Sequence, residues 1–112
     1  MLLKDGAAVA PFGVMGGAYQ PTGHAHLLGN LLDFGMDLQN AVDAPRSFYR
    51  NGALELEAGF SAECADALAA KGHAIARAER PLGGAQIAWI DTQKGTMAAA
   101  SDPRKDGCAL GF

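Results

Sequence analysis

Residues 47–57 read Ser47-Phe48-Tyr49-Arg50-Asn51-Gly52-Ala53-Leu54-Glu55-Leu56-Glu57, and their pattern decides the fold class. Asn-Gly is the strongest short hairpin signal, because both residues accept the positive φ angles that a two-residue turn demands. The spacing predicts strands over 47–50 and 53–57. In the second strand Leu54 and Leu56 face one way, and Glu55 and Glu57 face the other. One side of this sheet is therefore expected to be wet, as in antiparallel sheets and unlike the doubly buried parallel kind.

Toward the C-terminus, Ser61 is placed to cap a helix over 62–71 with Ala65, Leu68 and Ala69 inward, and Gly72 ends it. A strand over 73–78 and a loop over 80–84 follow. A last hairpin pairs 85–91 with 96–101, with Ile87 and Trp89 on one face and Gln86, Ala88 and Ile90 on the other. The tail is charged and then apolar, and is expected to dock by Leu110 and Phe112. Toward the N-terminus, Asp37 caps a short helix over 38–42 that Ala44-Pro45 stops. Over 24–34 Leu27, Leu31 and Phe34 form a helical stripe with Leu28 and Leu32 beside it, and Gly35 fits its left-handed end. Residues 19–23 read as a polar bend. An Asp5-Gly6 turn joins strands over 2–4 and 7–14, and Pro11, which has no amide donor, marks an edge or bulge in the second. The order ββαα-ββ-α-βββ is an α+β fold of antiparallel hairpins and about three helices.

At 112 residues the chain is one domain's worth of material, enough to bury roughly 65% of its unfolded surface. Hydrophobic residues at 49% and charged residues at 19% mark a globular chain rather than a disordered one. Nine Lys and Arg against twelve Asp and Glu give a net charge of −3, without the basic footprint of a nucleic-acid binder. No apolar run approaches the ~20 residues that cross a bilayer, and no charged-then-apolar leader opens the chain. As written it reads as a soluble cytoplasmic domain with no nucleic-acid or membrane partner. Cys64 and Cys108 form no framework and no C-x-x-C pair, so they read as small buried hydrophobes, with a bridge between them open outside the cytosol.

His24 and His26 point about 200° apart on a helix, so they cannot share a metal from one face, and His73 is the only further histidine. No metal and no cofactor is expected. Neither cysteine has a flanking activation motif. Gly13-Val14-Met15-Gly16-Gly17 lacks the third glycine of a dinucleotide fingerprint and the Gly-Lys-Ser/Thr of a P-loop. Twin glycines after a strand make a tight turn; they also leave backbone N–H groups uncovered, as an oxyanion hole requires. Spacing leaves both readings open. Asp102-Pro103-Arg104-Lys105-Asp106-Gly107 is either a solvated turn or the seat of a buried Arg104–Asp ion pair.

Five ordered motifs are recognisable: Phe12-Gly13-Val14-Met15-Gly16-Gly17, Gln20-Pro21-Thr22-Gly23-His24, Asn30-Leu31-Leu32-Asp33-Phe34-Gly35-Met36, Asp43-Ala44-Pro45-Arg46 and Ser101-Asp102-Pro103-Arg104-Lys105-Asp106-Gly107. Together they resemble the C-terminal, small-subunit half of the γ-glutamyltransferase (glutathione hydrolase) family. The resemblance implies a partial αββα fold of the N-terminal-nucleophile hydrolases. It implies γ-glutamyl transfer from, or hydrolysis of, glutathione and γ-glutamyl amides, by a small-subunit N-terminal Thr whose α-amine is the base. Gly16 and Gly17 align with the family's paired oxyanion-hole glycines. The nucleophilic Thr, the Ser-Ser segment and the carboxylate-binding Arg have no counterpart here; Thr22, Thr92 and Thr96 match nothing catalytic. The chain is thus expected to supply the oxyanion wall without the nucleophile, and to be inactive alone. The Met-Gly-Gly and Gln-Pro-x-Gly-His form also resembles the cephalosporin (glutaryl) acylase branch.

Two functions compete: a piece of a γ-glutamyl-transferring enzyme, and a non-catalytic domain that self-associates. Exposed strand edges favour a homodimer or association with the missing part of the subunit. Typical bacterial members of the family act in the periplasm or outside the cell.

Overall fold

Asp5 and Gly6, and again Asn51 and Gly52, all take positive φ, so both two-residue turns form where the sequence places them. The computed structural model describes all of Met1–Phe112. Its elements run β1 (Leu2–Lys4), β2 (Ala7–Ala10), β3 (Phe12–Met15), a 3-10 turn (Gly17–Tyr19), α1 (Gln20–Leu32), α2 (Leu38–Asp43), β4 (Ser47–Arg50), β5 (Ala53–Leu56), α3 (Ala62–Ala70), β6 (Ile75–Arg77), β7 (Gly84–Asp91) and β8 (Thr96–Ser101). The α+β class and the three helices are as expected. The backbone divides into two units, Met1–Asp43 with Gly83–Phe112, and Ala44–Leu82.

In the first unit β1 pairs with β2, while β3, β7 and β8 form a second antiparallel sheet. Pro11 divides the expected single strand over 7–14. It has no N–H to give, and its carbonyl accepts the Ala88 N–H at 3.1 Å as the chain changes sheets. The core gathers Val14, Tyr19, Leu27, Ala41, Val42, Ala85, Ile87 and Ala100. Helix α1 begins at Gln20 rather than His24, so the expected bend is helical. Pro21 belongs in that first turn, where its missing N–H would have no partner anyway. The helix also stops at Leu32, which leaves Phe34 beyond it and 76% exposed instead of in the apolar stripe.

The tail is held by charge rather than by its apolar end. Asp102, 1% exposed, accepts the Ala85 N–H at 2.7 Å through Oδ2, and the Arg104 N–H and Nη1 at 2.9 and 3.2 Å through Oδ1. Arg104 in turn donates to the Val42 and Asp43 carbonyls at 3.1 and 3.2 Å, capping the C-terminus of α2. Of the two readings of residues 102–107 the ion pair is the one formed. Leu110 and Phe112 are exposed and do not dock. Asp37 caps α2, accepting the Asn40 N–H at 2.9 Å.

In the 44–82 unit β4 and β5 are antiparallel, and β5 pairs in parallel with β6 across α3, which the hairpin pattern alone did not anticipate. Ser61 Oγ accepts the Cys64 N–H at 3.1 Å. Gly72, at φ 95°, closes α3, with Gly72 N–H to the Ala69 carbonyl and His73 N–H to that of Leu68. Glu57 does not sit on a wet face. The strand ends at Leu56, so the two-residue period lapses, and the buried carboxylate accepts the Arg46 and Leu82 N–H groups at 2.9 and 2.8 Å. Arg46, also buried, donates to the Leu82 carbonyl at 2.9 Å. Both cysteines are free, Cys64 half-buried and Cys108 exposed, so neither is the core hydrophobe expected.

Candidate functional site

Strand β3 ends at Met15, and the next two residues turn the chain into a helix within one peptide step. Gly16 has φ 145° and ψ 22°, and Gly17 has φ 59°. The Tyr19 N–H closes the turn on the Gly16 carbonyl at 3.2 Å, and the Gln20 N–H returns to the Gly17 carbonyl. The turn therefore sits at the N-terminal, electropositive end of a 13-residue helix. The two glycines differ. A Cβ on Gly16 would stand 3.0 Å from the Gly83 Cα and 3.3 Å from the Tyr19 ring, whereas one on Gly17 would meet nothing within 4 Å.

Tyr19, 3% exposed, fills the space behind the turn. Its ring abuts Gly16, Gly23 of α1, and Gly83 at the entrance to β7; a Cβ on Gly23 would fall 2.6 Å from Tyr19 Cε1, and one on Gly83 2.8 Å from Cδ1. Tyr19 Oη and His26 Nδ1 share a hydrogen bond of 3.2 Å, with the rings edge-on at 61°. His24 is engaged at both nitrogens: Nδ1 lies 2.7 Å from the Gln20 carbonyl, and Nε2 accepts the Val14 N–H at 3.2 Å. These two bonds assign the neutral tautomer with the proton on Nδ1. Both histidines brace the strand-to-helix junction, and no group of three His, Cys, Asp or Glu side chains is arranged to hold a metal ion.

Gly83 and Gly84 escaped the sequence reading. Gly84 lies opposite Met15 in the β3–β7 register, and Gly83, at φ 69°, has no room for a Cβ against the Met15 carbonyl. The available signal was a second twin-glycine at a strand start. Chemically, the assembly is a pair of backbone amides on a turn with one glycine locked and the other open. Such a turn can face a developing negative oxygen.

A family model described as Gamma-glutamyltranspeptidase matches residues 1–112. The Acylase ACY 1 proenzyme of Pseudomonas sp. (strain SE83) is 36% identical over 107 residues, covering 96% of this chain and 19% of that protein. The glutathione hydrolase proenzyme of Escherichia coli (strain K12) is 31% identical over 115 residues, covering 100% of this chain and 20% of that protein. Cephalosporin acylase from Bacillus halodurans superposes with a TM-score of 0.89 at 39% identity, over 94% of this chain and 20% of its own. Gamma-glutamyltranspeptidase from Pseudomonas nitroreducens gives 0.88 at 25% identity, over 100% and 60%. The chain spans about a fifth of the length of the curated relatives it matches. With the α+β fold shared by these hydrolases and a family match that runs from the first residue to the last, the chain belongs to the gamma-glutamyltranspeptidase family.

Proposed function

We propose that this chain supplies the oxyanion-stabilising wall of a γ-glutamyl-transfer site, with the amides of Gly16 and Gly17 as donors. In that reaction a threonine hydroxyl adds to the γ-carbonyl of a γ-glutamyl amide, and the threonine α-amine takes the proton. The carbonyl oxygen becomes negative, and preset N–H groups stabilise it without the reorganisation that water would need. The tetrahedral intermediate expels the amine, and the acyl group passes to water or to another amine. The attacking hydroxyl comes from polypeptide outside these 112 residues: Thr22 lies inside α1, Thr96 in β8 and Thr92 in the loop between β7 and β8. One observation carries the reading, the locked Gly16 beside the open Gly17 at the end of β3.

The test is a chimaera in which this chain replaces the segment it matches in the E. coli glutathione hydrolase. Gly17→Ala keeps the N–H but strains a left-handed residue and so misplaces the amide, and is expected to lower kcat by about 10²-fold with KM little changed. An unaltered kcat overturns the reading. The 112-residue chain alone is expected not to hydrolyse γ-glutamyl-p-nitroanilide, and turnover that survives purification would place the nucleophile within it.

A second reading, an acylase site of the same family, is favoured by the 36% and 39% identities to the two acylases. Turnover of glutaryl-p-nitroanilide in preference to the γ-glutamyl compound by the chimaera would select it. Association belongs to the same proposal. Strand β8 is a sheet edge without a charge or a proline, and Met97, Phe34, Leu110 and Phe112 are exposed in the same unit. Unguarded edges of this kind pair with another chain. Sedimentation at tens of micromolar is expected to show a homodimer; a stable monomer refutes it.

A further inference from the structure

We propose that Tyr19 is the positioning residue of the twin-glycine turn: its buried ring fixes the direction in which the Gly16 and Gly17 amides point. The inference rests on the oxyanion reading of that pair. Two adjacent glycines have the widest backbone freedom of any dipeptide, whereas an oxyanion donor is useful only if its direction is set beforehand. Something must remove the freedom. A torsion as uncommon as φ 145° at Gly16 persists only where the surroundings over-determine it.

Tyr19 supplies that constraint in three ways. Its N–H holds the Gly16 carbonyl at 3.2 Å, so the peptide plane between Gly16 and Gly17 cannot rotate without breaking the bond. Its ring stands 3.3 Å from where a Gly16 Cβ would be, so Gly16 cannot swing toward it. The ring itself cannot yield, because Gly23 and Gly83 close on its other sides and Oη is tied to His26 seven residues on. The three glycines are spaces cut to the shape of the ring, and they come from the turn, the helix and the residue just before β7. Gly17 stays open, so the constraint reaches the amides without covering them.

The test uses the ¹⁵N-labelled full chain with Tyr19→Leu, Tyr19→Phe and, as a destabilised control, Val42→Ala in α2. In Tyr19→Leu the Gly16 and Gly17 amide signals are expected to move, and their order parameters to fall from about 0.85 to below about 0.6. Val42→Ala should lower Tm and leave both amides ordered. Should Tyr19→Leu not fold, Tyr19→Phe keeps the ring and loses only the tether, and hydrogen exchange at the residue-19 amide, which closes the turn on the Gly16 carbonyl, is expected to rise severalfold. Unmoved glycine signals in Tyr19→Leu, or unchanged exchange in Tyr19→Phe, overturn the proposal, as does equal loss of order in Val42→Ala. In the chimaera Tyr19→Phe should reduce kcat by about tenfold at constant KM, since a small misplacement of a catalytic group is costly. Failure of the oxyanion reading looks different: Gly17→Ala would keep full kcat while the amides of the free chain still lost order with Tyr19.

Discussion

At Gly52 an added Cβ meets nothing within 4 Å; at Gly83 it would strike the Met15 carbonyl and the buried Tyr19 ring. The torsions are similar, φ 83° and 69°. In the Asn51-Gly52 hairpin the glycine answers a demand on the backbone alone, and asparagine beside it tolerates the same region. Around Tyr19, Gly16 and Gly83 answer two demands, torsion and space, and Gly23, inside the helix, answers space alone. One kind of turn is a local device, readable from two letters. The other is a tertiary device, assembled from Gly16, Gly23 and Gly83.

The widest gap between the two turns is expected in turnover. In the chimaera, Gly17→Ala should cost about 10²-fold in kcat by misplacing the amide, and Gly52→Ala nothing measurable; equal effects would erase the distinction. Next comes the carboxylate that holds β7 beside the locked turn. Asp102→Ala leaves the Ala85 N–H and Arg104 without their buried partner, and should cost about 3–5 kcal/mol in urea unfolding. Gly83→Ala adds overpacking to an unfavourable torsion and should cost about 3 kcal/mol, against about 1 kcal/mol for Gly52→Ala. Matching urea midpoints for that pair would show that torsion alone matters at both sites.

The smallest effect sharpens the comparison with a third turn, between β7 and β8. There the Asp91 carboxylate accepts the Gln93 and Lys94 N–H groups, each at 3.0 Å. The Lys94 N–H above all holds its pKa below the usual carboxylate value of 3.8. A lowered folded-state pKa contributes stability that is present above the unfolded value and is lost as pH falls through the folded one. Amide protection at Gln93 and Lys94 should therefore decay below about pH 4, and Asp91→Asn should flatten that dependence. Protection that is constant down to pH 2 would contradict the assignment.

How much of this was legible follows the same division. The Asp5-Gly6 and Asn51-Gly52 turns, the Ser61 and Asp37 caps, the Gly72 stop and the last hairpin are set by neighbours in sequence, and all stand where their residues indicate. The start of α1 was hidden by Pro21, which signals a bend in mid-chain but is at home in a first helical turn. Glu57 looked solvated because alternation was extended one residue past the end of β5. Leu110 and Phe112 looked like anchors because apolar ends usually are, whereas the Asp102–Arg104 pair holds the chain before them. Within the candidate site the twin glycines stood out at once; their spacing left a tight turn and an oxyanion hole both open, and the family resemblance favoured the second reading. The socket around Tyr19 brings together residues 16, 23 and 83, and no local pattern announces such a meeting.

That socket ties four positions into one steric unit. A methyl at Gly16 or Gly83 would also press on backbone, whereas one at Gly23 meets only the Tyr19 and Val14 side chains, and shrinking Tyr19 opens a void that it could partly fill. Gly23→Ala and Tyr19→Leu should accordingly cost less together than the sum of their separate penalties. Divergence at this corner of the molecule would proceed by compensated pairs of changes, each step crossing a less stable intermediate.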